Sequence, residues 1–170
     1  ARIDEPTDLS FEERTRRGES LHRLGLHEDA IDVLSVVTAE LDASSEAACR
    51  GRWALGRSFY KRKQYAEASA AFGEGAARCI DTDYGPDIAY LHGRVEAKRK
   101  WPRTAAKRYQ DMERLYPDHR FADDGLVLAG NTLIDVGDVE AGRALLITAL
   151  ERYPEGDMVP EAAFNVGFSL

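Results

Sequence analysis

The chain has 170 residues, of which 44% are hydrophobic and 31% are charged, and its formal net charge is −7. This content is enough for a sizeable core and excludes a disordered tail, while no stretch approaches the roughly 20 apolar residues of a membrane-spanning helix. Residues 1–46 carry 5 basic and 12 acidic groups, residues 47–110 carry 14 and 6, and residues 111–170 carry 4 and 12. The overall acidity argues against a dedicated nucleic-acid binder, whereas the basic middle segment is suited to an anionic partner.

Apolar residues recur at intervals of three and four along the chain, which predicts helices throughout. A self-comparison shows that glycine recurs at separations of 38, 37, 37 and 37 residues, at Gly18, Gly56, Gly93, Gly130 and Gly167. Twelve positions after each of the first four stands a small residue, and four positions further on stands a bulky one (Ala30/Leu34, Ala68/Phe72, Ala105/Tyr109 and Gly142/Leu146). Such columns are typical of a helical hairpin in which small residues allow close approach and large residues fill the space beside them.

Each period therefore predicts one helix–turn–helix unit, and prolines at Tyr116-Pro117 and Tyr153-Pro154 end two of the second helices. We expect an N-terminal linker over residues 1–9 and a repeat domain over residues 10–170. Its units lie at about 11–46, 47–84, 85–121 and 122–158, with a partial fifth unit at 159–170. Because the chain starts at Ala1 and ends within helical apolar spacing, we expect it to be part of a longer protein.

These columns resemble the tetratricopeptide repeat (TPR) family, from about residue 11 to the C-terminus. The resemblance implies an all-α right-handed superhelix of four hairpins plus one truncated helix, which acts as a non-catalytic protein-interaction or scaffold module. The long units, with YPDHRFADD (116–124) and YPEGDMVPEAAF (153–164), are most similar to the N-terminal helical-repeat region of soluble lytic murein transglycosylases. The next most similar proteins are outer-membrane assembly and Tol-Pal accessory proteins. An armadillo-like or Sel1-like array of helices would also explain the columns.

The resemblance to envelope proteins implies a periplasmic or cell-envelope location and a parent whose catalytic domain lies beyond Leu170, with a cytoplasmic location left open. The expected partners are a protein or peptide, or peptidoglycan, without nucleic acid and without membrane insertion. A last helix that exposes Ala163, Val166 and Leu170 would also favour self-association, because a solenoid end without a polar cap leaves apolar surface open.

No catalytic, metal or cofactor motif is present in the sequence, so we expect no enzyme activity, no metal site and no cofactor. The pair Glu19-Ser20 is similar to the Glu-Ser motif of lytic transglycosylases, but it lies inside the first repeat and is interpreted as coincidence. The four histidines are scattered over three units, although His22 and His27 lie near each other. The alternative in which this segment is itself a hydrolase requires a cleft with convergent titratable groups.

The two cysteines lie near the two ends of the second unit, Cys49 at the start of its first helix and Cys79 at the end of its second. In an antiparallel hairpin these ends lie side by side, within reach of a disulfide. The alternatives are a structural disulfide, which indicates an oxidising compartment, and two buried reduced thiols.

The resemblance implies that the first helix of every unit lines a groove. The side chains expected on that face are Arg50, Trp53, Arg57, Tyr60, Lys61, Tyr90, Arg94, Lys98 and Asn131, with Glu19, His22 and Asp135 nearby. Basic and aromatic groups together are suited to an acidic peptide, to the carboxylates of a cell-wall peptide, or to sugar rings stacked on Trp53 and Tyr60. Alternatively, Trp53 and Tyr60 belong to the core between repeats. Thr15 and Glu19 stand where chaperone-binding members carry a carboxylate clamp, which argues against a chaperone-tail binder.

Overall fold

The computed structural model describes residues 9–39 and 45–168, and within these ranges the chain forms nine α-helices and no strand. The helices are α1 (Phe11–Arg23), α2 (His27–Ala39), α3 (Glu46–Lys61), α4 (Tyr65–Arg78), α5 (Gly85–Lys98), α6 (Pro102–Leu115), α7 (Ala122–Asp135), α8 (Val139–Arg152) and α9 (Val159–Phe168). The chain divides into two compact units, with the boundary between Tyr84 and Gly85. Each unit contains two helical hairpins, and the second unit also contains α9. In the described part of the chain, no helix combines the length and the apolar character needed to cross a bilayer.

Each of the four predicted helix–turn–helix units contains two observed helices, and the partial fifth unit contains α9. The predicted linker, residues 1–9, lies outside the described residues except for residue 9. The helix α3 begins one residue before its predicted unit, because Ser45 caps it and accepts a hydrogen bond from the Ala48 N–H at 3.2 Å. Ser10 caps α1 in a capping box, in which the Ser10 N–H donates to Glu13 Oε2 at 2.8 Å.

The turn inside every hairpin has the same backbone structure. The residue seven positions after each repeated glycine has a left-handed backbone: Gly25 (φ 80°), Lys63 (φ 60°), Lys100 (φ 64°) and Gly137 (φ 85°). In the first turn the Leu26 N–H donates to the Leu21 carbonyl and the Gly25 N–H to the His22 carbonyl, and the other three turns repeat both bonds. This is the Schellman arrangement that satisfies the last carbonyls of a helix. Two of the four turns therefore place a lysine where glycine is the residue of lowest strain.

The repeated glycines allow each pair of helices to approach closely. A β-carbon on Gly56 would lie 2.5 Å from Cε1 of Phe72, and one on Gly93 would lie 2.5 Å from Cδ1 of Tyr109. A β-carbon on Gly18 would overlap Leu34, and one on Gly130 would overlap Leu146. The bulky residue sixteen positions after each glycine therefore covers that glycine, as the two sequence columns predicted. Gly167 in α9 has no atom within 4 Å of such a β-carbon.

Each unit has its own apolar core. In the first unit the core comprises Leu21, Ala30, Val33, Leu34, Val37, Ala54 and Leu55, with Trp53 and Phe59 packed against it. In the second unit one cluster comprises Leu126, Val127, Leu146, Ala149 and Ala162, and another comprises Ala105, Ala106, Tyr109 and Ala129. Burial of these faces, rather than helix propensity, holds such short helices in place.

One position in the repeat holds a charge instead of an apolar side chain. Glu96 occupies the column that holds Leu21, Phe59 and Leu133 in the other units, and it is only 2% exposed. Its carboxylate forms an ion pair with Arg99 Nη1 at 3.0 Å and lies 3.6 Å from His92 Nε2. A buried carboxylate is tolerated here because these partners compensate for its lost hydration.

Candidate functional site

The second hairpin of the first unit contains a disulfide between Cys49 and Cys79. Cys49 lies in the first turn of α3, Cys79 follows the last residue of α4, and both are completely buried. Their Cα atoms are 5.7 Å apart, and the bond closes a sequence separation of 30 residues. It joins the open end of the hairpin, opposite the Lys63 turn.

Several predicted groove residues of the first unit lie together on the side where α1 packs beside α3. We call this surface the α1–α3 face; it comprises Glu19, His22, Arg50, Trp53, Arg57, Lys61 and Tyr84. Arg50, Trp53, Arg57 and Lys61 are spaced three, four and four residues apart, which places them on one side of α3. Tyr84 follows α4 and was not predicted, because it belongs to a loop outside the repeated columns.

At one end of the face Arg50 is surrounded by acceptors. It lies 3.7 Å from Glu12 Oε1 and 3.9 Å from Glu19 Oε2, and its side chain is 18% exposed. Burial and the Glu19 charge raise the pKa of Tyr84, while the charge of Arg50 acts to lower it. Arg50 therefore has a structural role within the face.

Trp53 stands at the centre of the face. Its ring centroid is 6.1 Å from that of His22 and 5.8 Å from that of Tyr84, and the Arg57 guanidinium carbon lies over the ring, 4.7 Å from its centroid. The indole Nε1–H is buried and has no hydrogen-bond acceptor among the described residues. Trp53 thus combines partial packing against the core with an unsatisfied donor.

The His22 side chain is neutral and lies close to several positively charged side chains. Its Nδ1 lies 2.9 Å from Ser58 Oγ, and that hydroxyl donates its own proton to the Ala54 carbonyl at 2.8 Å. Nδ1 must therefore carry the imidazole proton and donate it to Ser58. Burial is the main cause that lowers the pKa of His22 to about 4, followed by the positive charges of Arg57, His27, Lys61 and Arg23. Burial, Lys61 and Arg62 also lower the pKa of His27, whose ring centroid is 5.2 Å from that of His22.

Tyr60 makes a different contact from the one the sequence suggested. Its ring packs edge-on against Tyr65 of α4, with the centroids 5.6 Å apart. The His22, Tyr84 and Arg57 groups surround the Trp53 ring. The two rings therefore do not offer a joint open platform for stacking a sugar.

In the second unit the predicted residues lie at separate places. Tyr90 stacks on Phe121 with the centroids 4.4 Å apart and the planes at 19°, so it packs between α5 and the start of α7. Arg94 lies 5.8 Å from the Tyr90 ring centroid, and Lys98 is exposed at the end of α5. Burial and the charges of Asp123 and Asp157 raise the pKa of Asp124 to about 6. The charge of Arg94 opposes this rise.

Asn131 belongs to a second cluster, between α7 and α9. Its side-chain amide donates to Glu161 Oε1 at 2.7 Å, and its carbonyl accepts from Asn165 Nδ2 at 2.8 Å. Asn131 and Asn165 line a cleft of about 370 Å³ together with Ile134, Asp135 and Phe168. The sequence pattern pointed to Asn131, whereas Asn165 falls in the incomplete fifth unit.

The last described helix exposes an aromatic pair. Phe164 and Phe168 are 66% and 83% exposed, and their rings stack with centroids 5.5 Å apart. Of the three residues expected to be exposed here, Ala163 is exposed and Val166 packs against the core of the second unit. Leu170 lies outside the described residues.

The possible metal ligands and the Glu19-Ser20 pair can each be followed in the described residues. Within 9–39 and 45–168, no three His, Cys, Asp or Glu residues are placed to hold a metal ion together. The Glu19 carboxylate pairs with Arg23 at 2.7 Å, and Ser20 Oγ donates to the Arg16 carbonyl at 2.8 Å. The side chains of Glu19-Ser20 are thus engaged in helix-surface contacts.

Solved structures share this fold, although no protein-family profile and no curated relative matches the sequence. YrrB, "a TPR protein with an unusual peptide-binding site", is similar with a TM-score of 0.67 and 20% identity over 92% of this chain and 74% of that one. A MamA variant has a TM-score of 0.67 and 15% identity, over 92% of this chain and 79% of the other. A Podosopora anserina protein with nearly identical TPR-like repeats has a TM-score of 0.68 and 11% identity, over 92% and 82%. These similarities confirm the predicted fold class, an all-α TPR-like helical-repeat superhelix.

Proposed function

We propose that this chain is a non-catalytic protein-interaction module that binds a protein or peptide segment through the first helices of its hairpins. The observation that carries the proposal is the α1–α3 face, where the Arg57 guanidinium lies over the Trp53 ring and where neither Arg57 nor Lys61 has a carboxylate within 4.0 Å among the described residues. Cations without an internal partner are suited to an anionic group of another molecule. The TPR-like fold and its likeness to a peptide-binding TPR protein support this function.

The residues proposed to contact a partner in the first unit are Trp53, Arg57 and Lys61, with Arg50 and Tyr60 holding neighbouring groups in place. In the second unit Arg94, Lys98 and Asn131 are proposed as further contacts at separate places, with Tyr90 beside Arg94. Asn131 and Asn165 together present amide groups at the cleft of α7 and α9, which suits a polar partner.

A footprint of a selected peptide tests this function. A random peptide library is selected on the folded chain, and hydrogen–deuterium exchange is then compared with and without an enriched peptide. We expect slower exchange in α1 and α3, or in α5, α7 and α9, and unchanged exchange in α2 and α4. Enrichment of no peptide, or protection confined to the second helices of the hairpins, would contradict the proposal.

We further propose that the parent is a cell-envelope protein of the periplasm, most similar to peptidoglycan-processing lytic transglycosylases. The buried Cys49–Cys79 disulfide supports an oxidising compartment, because such bonds persist there and are rare in reducing ones. The long units with their Tyr-Pro turns support the resemblance to envelope proteins. The alternative is an adaptor of the outer-membrane assembly or Tol-Pal type.

Purified peptidoglycan separates these possibilities. If the module contributes to peptidoglycan processing, it should co-sediment with isolated sacculi without releasing soluble fragments. An adaptor should remain in the supernatant and bind other envelope proteins instead. Release of muropeptides by the pure chain would favour the hydrolase alternative and overturn the non-catalytic function.

A further inference from the structure

The arginines of the first unit differ in whether they already have a carboxylate partner. Six of them form ion pairs within the unit: Arg16 with Glu12, Arg23 with Glu19, Arg50 with both of these glutamates, Arg62 with Glu28, and both Arg52 and Arg78 with Glu74. By contrast, Arg57 and Lys61 on the α1–α3 face have neither a carboxylate within 4.0 Å nor a hydrogen-bond acceptor among the described residues. These two cations are therefore available to an external anion.

Arg57 is held in place without using its donors. Its guanidinium lies over the Trp53 ring, and this cation–π contact fixes the side chain while leaving its N–H groups free of acceptors in the described chain. Lys61 follows one helical turn later on the same side of α3. The Trp53 N–H also lacks an acceptor among the described residues, but it is buried beneath this surface. Arg57 and Lys61 thus present their donors one helical turn apart on one side of α3.

The surroundings favour a small, localised anion. After burial, the main causes that lower the pKa of His22 include the charges of Arg57, Lys61 and Arg23, so several cations lie together at this end of the face. The other end carries Glu12 and Glu19 beside Arg50. A long polyanion such as a nucleic acid would extend over these two carboxylates, whereas a short acidic peptide can place its carboxylates at Arg57 and Lys61 alone.

We propose that Arg57 and Lys61, with the Trp53 ring holding Arg57 in place, form a binding site for a carboxylate of an acidic peptide segment in a partner protein. This inference rests on the proposed function and specifies the chemistry of its partner. It differs from the carboxylate clamp of chaperone-binding repeats, because Thr15, at one of the clamp columns, is buried and bonds the Phe11 carbonyl. An Asp or Glu side chain and a chain end present the same two carboxylate oxygens, and the peptides below distinguish these sources.

Fluorescence anisotropy with labelled peptides tests the site. The probes are amidated hexaglutamate, amidated hexaglutamine, and hexaglutamine with a free C-terminal carboxylate. We expect amidated hexaglutamate to bind about tenfold or more tightly than amidated hexaglutamine at low ionic strength, with affinity falling as salt is added. Tighter binding of the free-acid hexaglutamine than of its amide would identify a chain end as a source of the carboxylate. Equal affinity for all three peptides would overturn the proposal.

Variants assign the binding to these residues. Arg57→Gln and Lys61→Gln should each weaken hexaglutamate binding about fivefold to tenfold, and Trp53→Phe should weaken it less, because a ring remains beneath Arg57. Lys107→Gln, an exposed lysine of α6, makes the same change in net charge and should leave affinity unchanged. Thermal unfolding of every variant checks that it is folded. Equal losses in Lys107→Gln and Lys61→Gln would overturn the site, because they would show only a net-charge effect.

A second readout distinguishes direct contact from an indirect effect. When a carboxylate neutralises Arg57 and Lys61, the pKa of His22 measured by NMR should rise in the bound chain, because two of the charges that lower it are compensated. An unchanged His22 pKa at saturation would place the peptide elsewhere.

Tighter binding of oligothymidylate than of hexaglutamate, lost in Arg57→Gln, would show that the site binds a nucleic acid and not an acidic peptide. If library peptides bind the α1–α3 face irrespective of charge, the carboxylate site fails while the interaction function stands.

Discussion

Phe72 of α4 lies directly over Gly56 of α3, so that a β-carbon on the glycine would lie 2.5 Å from the ring atom Cε1. The residues are sixteen positions apart, and the same relationship joins Gly18 to Leu34, Gly93 to Tyr109 and Gly130 to Leu146. The close approach of the two helices in each hairpin thus depends on the absence of one methyl group. This contact explains why the glycine and the bulky residue recur together in every repeat of the sequence.

Gly56→Ala should lower the free energy of unfolding by about 1–3 kcal/mol, because the methyl group overlaps the Phe72 ring and the hairpin must open to admit it. Chemical denaturation measures the change. Gly167→Ala is the matched control, because it alters the same column in α9, where the added group would meet no atom within 4 Å. The control should leave stability unchanged or raise it by up to about 1 kcal/mol through helix propensity. If both variants lose the same stability, the Gly56–Phe72 contact is not the cause.

Lys63→Gly should stabilise the first unit by about 0.5–1 kcal/mol, since Lys63 has φ of 60° and glycine adopts this backbone without strain. The reverse change, Gly25→Lys, places a lysine at the equivalent turn, where a β-carbon meets no atom within 4 Å. It should destabilise by a similar amount through backbone strain alone. Thermal and denaturant unfolding of the two variants should therefore shift in opposite directions, and a shift of both in the same direction would contradict the common turn structure.

Reduction of the Cys49–Cys79 bond should lower stability by about 3–4 kcal/mol, because the bond closes a loop of 30 residues that gains conformational freedom when unfolded. Thiol counting under denaturing, non-reducing conditions should find no free thiol. Under reducing conditions, Cys49→Ala combined with Cys79→Ala should unfold close to the reduced parent chain. Two free thiols in protein isolated from its native compartment would support the alternative of buried reduced cysteines and remove the support for an oxidising location.

The stability of the first unit should fall as the pH falls from about 6.5 to about 4. Burial and the nearby cations lower the pKa of His22 to about 4 in the folded chain, whereas the unfolded side chain titrates near 6.5. Between these values the unfolded state binds more protons, so acid favours unfolding, and the stabilisation is complete only above pH 6.5. His22→Gln should reduce this pH dependence by about 1–2 kcal/mol over the interval, as measured by denaturant midpoints at several pH values. A pH profile identical to that of the parent chain would show that His22 does not titrate in this way.

The sequence by itself determined the repeated architecture. The glycine, small-residue and bulky-residue columns predict the hairpins because the close contact in each hairpin joins a glycine to a bulky residue sixteen positions later, and these residues recur in every repeat. The proximity of Cys49 and Cys79 follows from the same hairpin geometry. The turns at Lys63 and Lys100 carried no such signal, since lysine does not mark a left-handed backbone.

Only the tertiary structure decided which charged groups remain available. Arg50 and Arg57 lie seven residues apart on the same side of α3 and are equivalent in the sequence pattern. The packing of α1 beside α3 brings Glu12 and Glu19 to Arg50, whereas Arg57 receives the Trp53 ring and no carboxylate among the described residues. Tyr84 joins the face from a loop that has no repeat column. Ion pairing depends on separations of a few ångströms between different helices, and a pattern along one chain does not specify those separations.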